Sequence, residues 1–141
     1  MLHGRWAAAF VIACGLGVAN PCSLRAQSRE NGAERTTLSG VYTAAQAMRG
    51  EDTFAGMCQG CHTPASHATA AFVNAWRDKP LLALYKYLTE AMPKSDPGTL
   101  TPTEYAQVLA YLLKLNGMPA GQEELPADTA VLQSIRFESK K

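Results

Sequence analysis

The stretch Cys58-Gln59-Gly60-Cys61-His62 decides the fold of this chain, because it has the spacing Cys-x-x-Cys-His. At this spacing two thiols can add to the two vinyl groups of one haem, and the adjacent imidazole can bind the iron. Residues three apart lie on the same side of a helical turn, so Cys58 and Cys61 can reach one porphyrin edge. The motif predicts one haem c attached through Cys58 and Cys61, with His62 as an iron ligand.

Two other interpretations of the cysteine pair are less favoured. A thioredoxin-like redox couple needs a buried strand before the motif, and the residues before Cys58 follow a helical pattern. A zinc site needs four ligands, and the other two cysteines, Cys14 and Cys22, lie in a segment that we expect to be removed.

The N-terminal segment has the layout of a secretory signal. A short basic start with Arg5 precedes an apolar run from 6 to 19 and a polar exit. A membrane-spanning helix needs about 20 apolar residues, and this run is shorter. We expect a signal peptide over residues 1–26, with cleavage after Ala26, or alternatively after Ala19.

Export to the periplasm is the expected outcome of this signal. Cleavage would leave only the two cysteines of the haem motif and no disulfide. Val11-Ile12-Ala13-Cys14 weakly resembles a lipoprotein cleavage box, so lipid anchoring is one alternative, and retention as an uncleaved anchor is another. The chain would contact a membrane only in those two cases.

The charge balance argues against a nucleic-acid partner. Arg5 and Arg25 lie in the signal segment and no acidic residue does, so the remaining chain has 11 Lys and Arg against 12 Asp and Glu. Nucleic-acid binding calls for a strongly basic face.

The remaining chain is expected to form one small all-α domain. We expect a flexible polar lead over residues 27–39, a haem domain over 40–118, and a tail over 119–141 whose apolar side chains pack back on the domain. The tail is alternatively a docking segment for a partner. A buried haem would supply much of the apolar interior that so short a chain lacks.

Helical periodicity predicts three main helices. The first runs from about Tyr42 to Cys58 and includes Gly50, which costs a helix interior about 1 kcal/mol relative to alanine. Close approach of another helix backbone at Gly50 would offset that cost. The second starts near Pro80, with Asp78 as a candidate cap, and ends before Pro93. Its apolar face is Leu81, Leu84, Tyr85 and Leu88.

The third helix has the clearest boundaries. Thr101-Pro102-Thr103-Glu104 is a capping box with proline at the first helical position, and Asn116-Gly117 ends the helix. Its apolar stripe is Tyr105, Val108, Leu109, Leu112 and Leu115.

The second axial ligand determines the chemistry of such an iron, and four methionines are candidates: Met48, Met57, Met92 and Met118. Met92 stands where a helix gives way to a proline-rich loop that can place its sulfur over the haem. It also continues the Leu84 and Leu88 stripe, so ordinary core packing is equally compatible with its position. Met118 is the second choice.

Several segments together resemble a known family. They are the motif at 58–62, then Ala91-Met92-Pro93, the stretch from Pro97 to Tyr105, and the run from Val108 to Leu113. Over residues 40–117 the chain resembles a class I c-type cytochrome. The stretch from Pro97 to Gly121 is similar to the cytochrome domains attached to some quinoprotein dehydrogenases.

The resemblance implies roles for individual residues. Cys58 and Cys61 would hold the haem covalently, His62 would be the proximal ligand, and Met92 the distal one. Trp76 would lie near a haem propionate, although plain core packing is an equal alternative.

The resemblance also implies that the first and last helices cross. Gly50 and Phe54 would then meet Val108 and Tyr111, which would account for the glycine.

One departure from the family concerns the orientation of His62. Members usually have a Gly-Pro whose carbonyl accepts the Nδ1 proton of the proximal histidine, and here only Pro64 is available. The orienting carbonyl is left open. His67 could compete as a ligand, but we expect it to be merely exposed.

The leading functional hypothesis is a periplasmic electron carrier without catalytic residues, serving a donor dehydrogenase and an acceptor oxidase or reductase. The alternatives are a cytochrome subunit of a dehydrogenase or reductase complex and, less favoured, a haem sensor or peroxidase.

Overall fold

The computed structural model describes residues 34–140, which form an all-α domain without a β-sheet. Its helices are α1 (Ala44–Met57), α2 (Ala70–Trp76), α3 (Leu81–Ala91), α4 (Pro102–Leu115) and α5 (Thr129–Gln133). One short 3₁₀ helix, Thr37–Ser39, precedes α1, and another, Pro64–His67, lies between α1 and α2. The predicted signal segment 1–26 lies outside the described residues. Among residues 34–140, no helix has the length and hydropathy that a membrane span requires.

Helix α4 is the central element of the core and begins as its sequence predicts. The Thr101 hydroxyl accepts a hydrogen bond from the Glu104 amide, and the Glu104 carboxylate accepts one from the Thr101 amide at 2.7 Å. Hydrogen bonds that the Thr101 hydroxyl and the Thr101 amide donate to the carboxylate lower the pKa of Glu104. Eight of the next nine residues, 105 to 113, are buried, and Gln107 is the exception. The helix therefore has neighbours on nearly all sides.

Helices α1 and α4 cross in direct backbone contact, which confirms the predicted crossing. A Cβ atom added to Gly50 would overlap the Gln107 carbonyl and lie 3.0 Å from the Val108 nitrogen. One turn further along α1, the Phe54 ring lies 5.4 Å from the Tyr111 ring. Only glycine permits this approach, so its poor helix propensity is offset by packing.

Helix α3 lies where its periodicity predicts, but its start differs from the expectation. The N-cap residue is Pro80, which makes no side-chain cap. Asp78 is not the cap, because its backbone is left-handed at φ 63° and its carboxylate pairs with Arg136 instead. The buried face of α3 consists of the four residues expected, Leu81, Leu84, Tyr85 and Leu88.

The C-terminal segment packs on the domain. Its buried side chains are Leu125, Leu132, Ile135 and Phe137. Gln46 of α1 is also buried, and its side-chain amide donates to the Leu125 carbonyl and accepts from the Leu125 amide, both at 2.8 Å. These two hydrogen bonds join α1 to the C-terminal segment, and together they satisfy both backbone groups of Leu125.

The N-terminal stretch is folded over the residues described, which corrects the expected flexible lead for Thr36–Ser39. Thr37 is fully buried, and its amide donates to the Arg136 carbonyl at 3.0 Å. The Glu138 amide in turn donates to the Thr37 hydroxyl at 2.9 Å. The two ends of the described residues are thereby joined beside α3, where the Leu81 amide donates to the Ile135 carbonyl.

Gly50→Ala is expected to destabilise the protein by about 1–3 kcal/mol, because the new methyl group meets a backbone carbonyl that cannot move without displacing α4. The control is Gly56→Ala on the same helix, where nothing lies within 4 Å of the added methyl group. That change is expected to be neutral or to stabilise by about 0.5–1 kcal/mol. Denaturant unfolding of both holoprotein variants gives the comparison. Equal effects at the two positions would contradict the close crossing.

Candidate functional site

A cavity of about 350 Å³ lies between the Cys-x-x-Cys-His turn, α3 and α4. All five residues singled out from the sequence line it: Cys58, Cys61, His62, Trp76 and Met92. Its size falls in the range of cofactor and ligand sites in proteins. The structure thus brings residues from three separate parts of the chain to one place.

The end of α1 delivers the cysteine pair to the cavity. Cys58 caps the helix, and its amide donates to the Phe54 carbonyl at 2.9 Å. The Cys61 and His62 amides then both donate to the Cys58 carbonyl, at 3.1 and 2.9 Å, which closes a tight turn. The two thiols are not joined by a disulfide, and burial raises the pKa of the Cys58 thiol. The element before the motif is a helix, so the strand that a thioredoxin-like couple requires is not there.

The end of α3 brings Met92 to the cavity. Met92 is the C-terminal cap residue, in extended conformation, and its amide donates to the Leu88 carbonyl at 3.1 Å. Pro93, Lys94 and Ser95 continue along the cavity wall. The proline therefore ends the helix where the sequence predicts, and leaves the methionine at the wall.

The other candidate methionines differ in position. Met48 is 62 % exposed on α1, and Met118 is buried in the core, so neither lines the cavity. Met57 does line it, but it directly precedes Cys58 and approaches from the element that holds the attachment cysteines. Of the two methionines in the cavity wall, Met92 is the one that comes from the end of α3 and not from the element that holds the cysteines.

His67 lies in the cavity wall, which corrects the expectation that it is merely exposed. Its ring makes edge contacts with His62, Phe72 and Phe54 at centroid distances of 5.0, 5.4 and 5.7 Å. Burial lowers the pKa of His67, a hydrogen bond to the Thr63 carbonyl opposes this, and the nearby His62 lowers it further. Asn116 holds the loop by donating to the His67 carbonyl at 2.8 Å.

Contact with His67 also bears on how the His62 ring is oriented. Among the side-chain hydrogen bonds of residues 34–140, none involves the His62 ring. The His62 ring instead makes a T-shaped contact with the His67 ring. The local packing of the 3₁₀ helix Pro64–His67 thus restricts the ring.

Trp76 ends α2 and is partly buried at the cavity. Its ring lies 5.5 Å from that of Tyr87 and 6.4 Å from that of Phe72. The Lys79 ammonium lies 5.3 Å from the Trp76 ring centroid, within cation–π distance. A cationic group therefore stands beside the indole.

The lining fits a flat, largely apolar group with a few specific anchors. Apart from the residues above, most of the wall is hydrophobic: Phe54, Leu84, Leu88, Val108 and Leu112. Two thiols, an imidazole and a thioether are the donor types used for covalent attachment and axial ligation of haem. No group of three or more His, Cys, Asp or Glu side chains is placed to hold a bare metal ion within residues 34–140.

Sequence reasoning missed several cavity residues. The helix α2 and its Phe72 were not predicted, and neither were the roles of Tyr87 and Lys94 in the wall. Thr69 gives a signal for α2, because it caps the helix by accepting from the Phe72 amide at 3.1 Å. Tyr87 lies off the apolar stripe of α3, so periodicity assigns it to solvent.

Comparison with models of known protein families gives a match over the middle of the chain. The family model for cytochrome c oxidase, cbb3-type, subunit III matches residues 45–112, which run from the start of α1 through most of α4. No curated protein and no solved structure matches the chain significantly. The matched segment includes Cys58, Cys61, His62 and Met92. Over residues 45–112 the chain is therefore similar to a class I c-type cytochrome domain, and the all-α fold and the cavity fit a covalently bound haem c and electron transfer through it.

Proposed function

We propose that this protein is a periplasmic carrier of single electrons, with His62 and Met92 as the two axial ligands of its haem iron. The observation that carries the proposal is that both residues, which follow two different helices, line one apolar cavity together with the two attachment cysteines. The haem supplies a one-electron change between ferrous and ferric iron when bound.

The residues of the chain have separable tasks in this proposal. Cys58 and Cys61 hold the group in place through thioether bonds, while the tight turn fixes His62 beside them. Met92 provides a thioether sulfur, a neutral and polarizable donor that raises the reduction potential. The hydrophobic wall excludes water, which also favours the less charged ferrous state.

A closed site argues against a haem sensor or peroxidase, because these require an open or displaceable sixth position. With both histidine and methionine in place, the iron would have no free position for a substrate. Electron transfer needs none, since it proceeds through an accessible haem edge.

We further propose that Trp76 donates its indole N–H to a haem propionate, with Lys79 adding positive charge nearby. Partial burial at the cavity wall and the cation beside the ring support this role. A carboxylate in such a place needs a donor and a counter-charge.

The periplasmic location rests on the signal-like segment 1–26 and remains a proposal. Retention of that segment or its lipidation would place the same domain at a membrane surface.

A second function is favoured by the family match. The matching model describes a subunit of a cytochrome c oxidase, and the described C-terminal segment extends beyond the matched residues. The same domain could therefore be a fixed subunit that passes electrons inside a larger complex.

Met92→Leu is expected to abolish the weak charge-transfer absorption of ferric haem with methionine ligation, since leucine fills the volume but has no sulfur. The matched control is Met118→Leu, which makes the same change in a buried methionine away from the cavity. Absorption spectra of the two ferric holoproteins give the answer. Survival of the band in Met92→Leu with loss in Met118→Leu would refute the ligand assignment.

Trp76→Phe is expected to lower the reduction potential, because a propionate without its donor leaves more negative charge near the iron and stabilises the ferric state. The control is Tyr87→Phe, which alters a neighbouring aromatic residue of the cavity wall without removing the indole donor. Redox titration of both holoproteins measures the difference. Equal potentials in the wild type and Trp76→Phe would favour plain packing.

Gentle purification of the native protein from its own source distinguishes the two functions. A carrier is expected to elute alone at the size of one chain and to remain soluble after removal of membranes. Stable co-elution with larger chains through high salt would support the subunit instead, because salt weakens docking by exposed charges.

A further inference from the structure

The hydroxyl group of Tyr105 joins the two ends of the methionine loop, residues 92–98. It donates to the Met92 carbonyl at 2.7 Å and accepts from the Gly98 amide at 3.0 Å. A phenol oxygen can do both at once, because it has one proton to donate and lone pairs to accept. Tyr105 therefore closes the loop into a ring through a single oxygen atom.

Tyr105 is itself held firmly. It lies in the first turn of α4, where its amide donates to the Thr101 carbonyl at 3.0 Å, and its side chain is 3 % exposed. The capping box of Thr101 and Glu104 fixes the start of that helix. The phenol oxygen is therefore a rigid point that belongs to the core rather than to the loop.

The loop has few other connections. A turn closes within it, from the Asp96 amide to the Pro93 carbonyl at 3.0 Å, and residues 94–99 are exposed. Within residues 34–140, the hydrogen bond from the Gly98 amide to the Tyr105 hydroxyl is the only one that links residues 93–99 to a helix. The position of the loop relative to the cavity thus depends on this contact.

We propose that Tyr105 is a positioning residue that keeps the loop closed, so that the Met92 sulfur stays at the iron and foreign ligands are excluded. The inference rests on the proposed role of Met92 as an axial ligand. Tyr105 does not itself line the cavity, so it acts through the backbone on both sides of the loop.

The effect of losing the hydroxyl follows from hydrogen-bond energetics. One intramolecular hydrogen bond changes an equilibrium by roughly 2- to 10-fold. Removing the phenol oxygen breaks two hydrogen bonds at opposite ends of one loop, and water can satisfy both freed groups only when the loop moves outward. The open form is therefore expected to become about tenfold more populated.

Tyr105→Phe holoprotein tests the proposal, because phenylalanine keeps the buried ring and removes only the oxygen. The matched control is Tyr42→Phe. The Tyr42 hydroxyl is also buried and also donates to a methionine carbonyl, that of Met118, at 2.7 Å, but Tyr42 does not line the cavity. Two quantities are measured: hydrogen exchange of the Gly98 amide, and the affinity of the ferric protein for imidazole, which must displace the methionine.

Faster exchange at Gly98 and about tenfold tighter imidazole binding in Tyr105→Phe, with neither change in Tyr42→Phe, would support the proposal. Unchanged exchange at Gly98, or unchanged imidazole affinity, would overturn it. Equal gains in imidazole affinity in both variants would also overturn it, since they would reflect general loosening.

Met92→Leu in the same imidazole titration separates this inference from the ligand assignment. If Met92→Leu binds imidazole much more tightly than the wild type while Tyr105→Phe does not, the ligand assignment stands and the role of Tyr105 is wrong. If Met92→Leu leaves the affinity unchanged, Met92 is not the ligand, and the inference falls with it.

Discussion

The backbone contact between α1 and α4 at Gly50 is the constraint on which the rest of the structure depends. It fixes where α1 ends relative to α4, and Cys58 is the cap residue of α1, so it also fixes the attachment point of the haem. The same α4 supplies Val108 and Leu112 to the cavity wall. One close approach of two backbones thus aligns the motif with the apolar surface that receives its cofactor.

The parts of the site that sequence predicts are those set by local rules. The Cys-x-x-Cys-His turn needs no partner outside its own residues to form, and the capping box at Thr101 is complete within four residues. Met92 is predictable because Pro93 must end α3. The crossing at Gly50 could be expected only through the resemblance, since nothing local says what a helical glycine will meet.

The parts that escaped prediction depend on contacts between distant segments. His67 is an isolated histidine in a polar stretch, and only the folded chain places it among Phe54, Phe72 and His62. Gln46 occupies a position where periodicity expects an apolar side chain, and its partner Leu125 lies 79 residues away. A buried polar group of this kind is stable only because both backbone groups of its partner satisfy it.

The two sides of the haem site are held by forces of different strength. The His62 side is tied by covalent attachment and by a turn that closes within five residues. The Met92 side depends on a loop that a few hydrogen bonds connect to the core, each contributing about 1 kcal/mol. With the proposed ligation, a weak thioether bond to iron is retained because the loop around it is already closed, so that little conformational entropy is lost when the bond forms. Closure of the loop by α4, rather than the motif alone, then makes the site one for electron transfer instead of ligand binding.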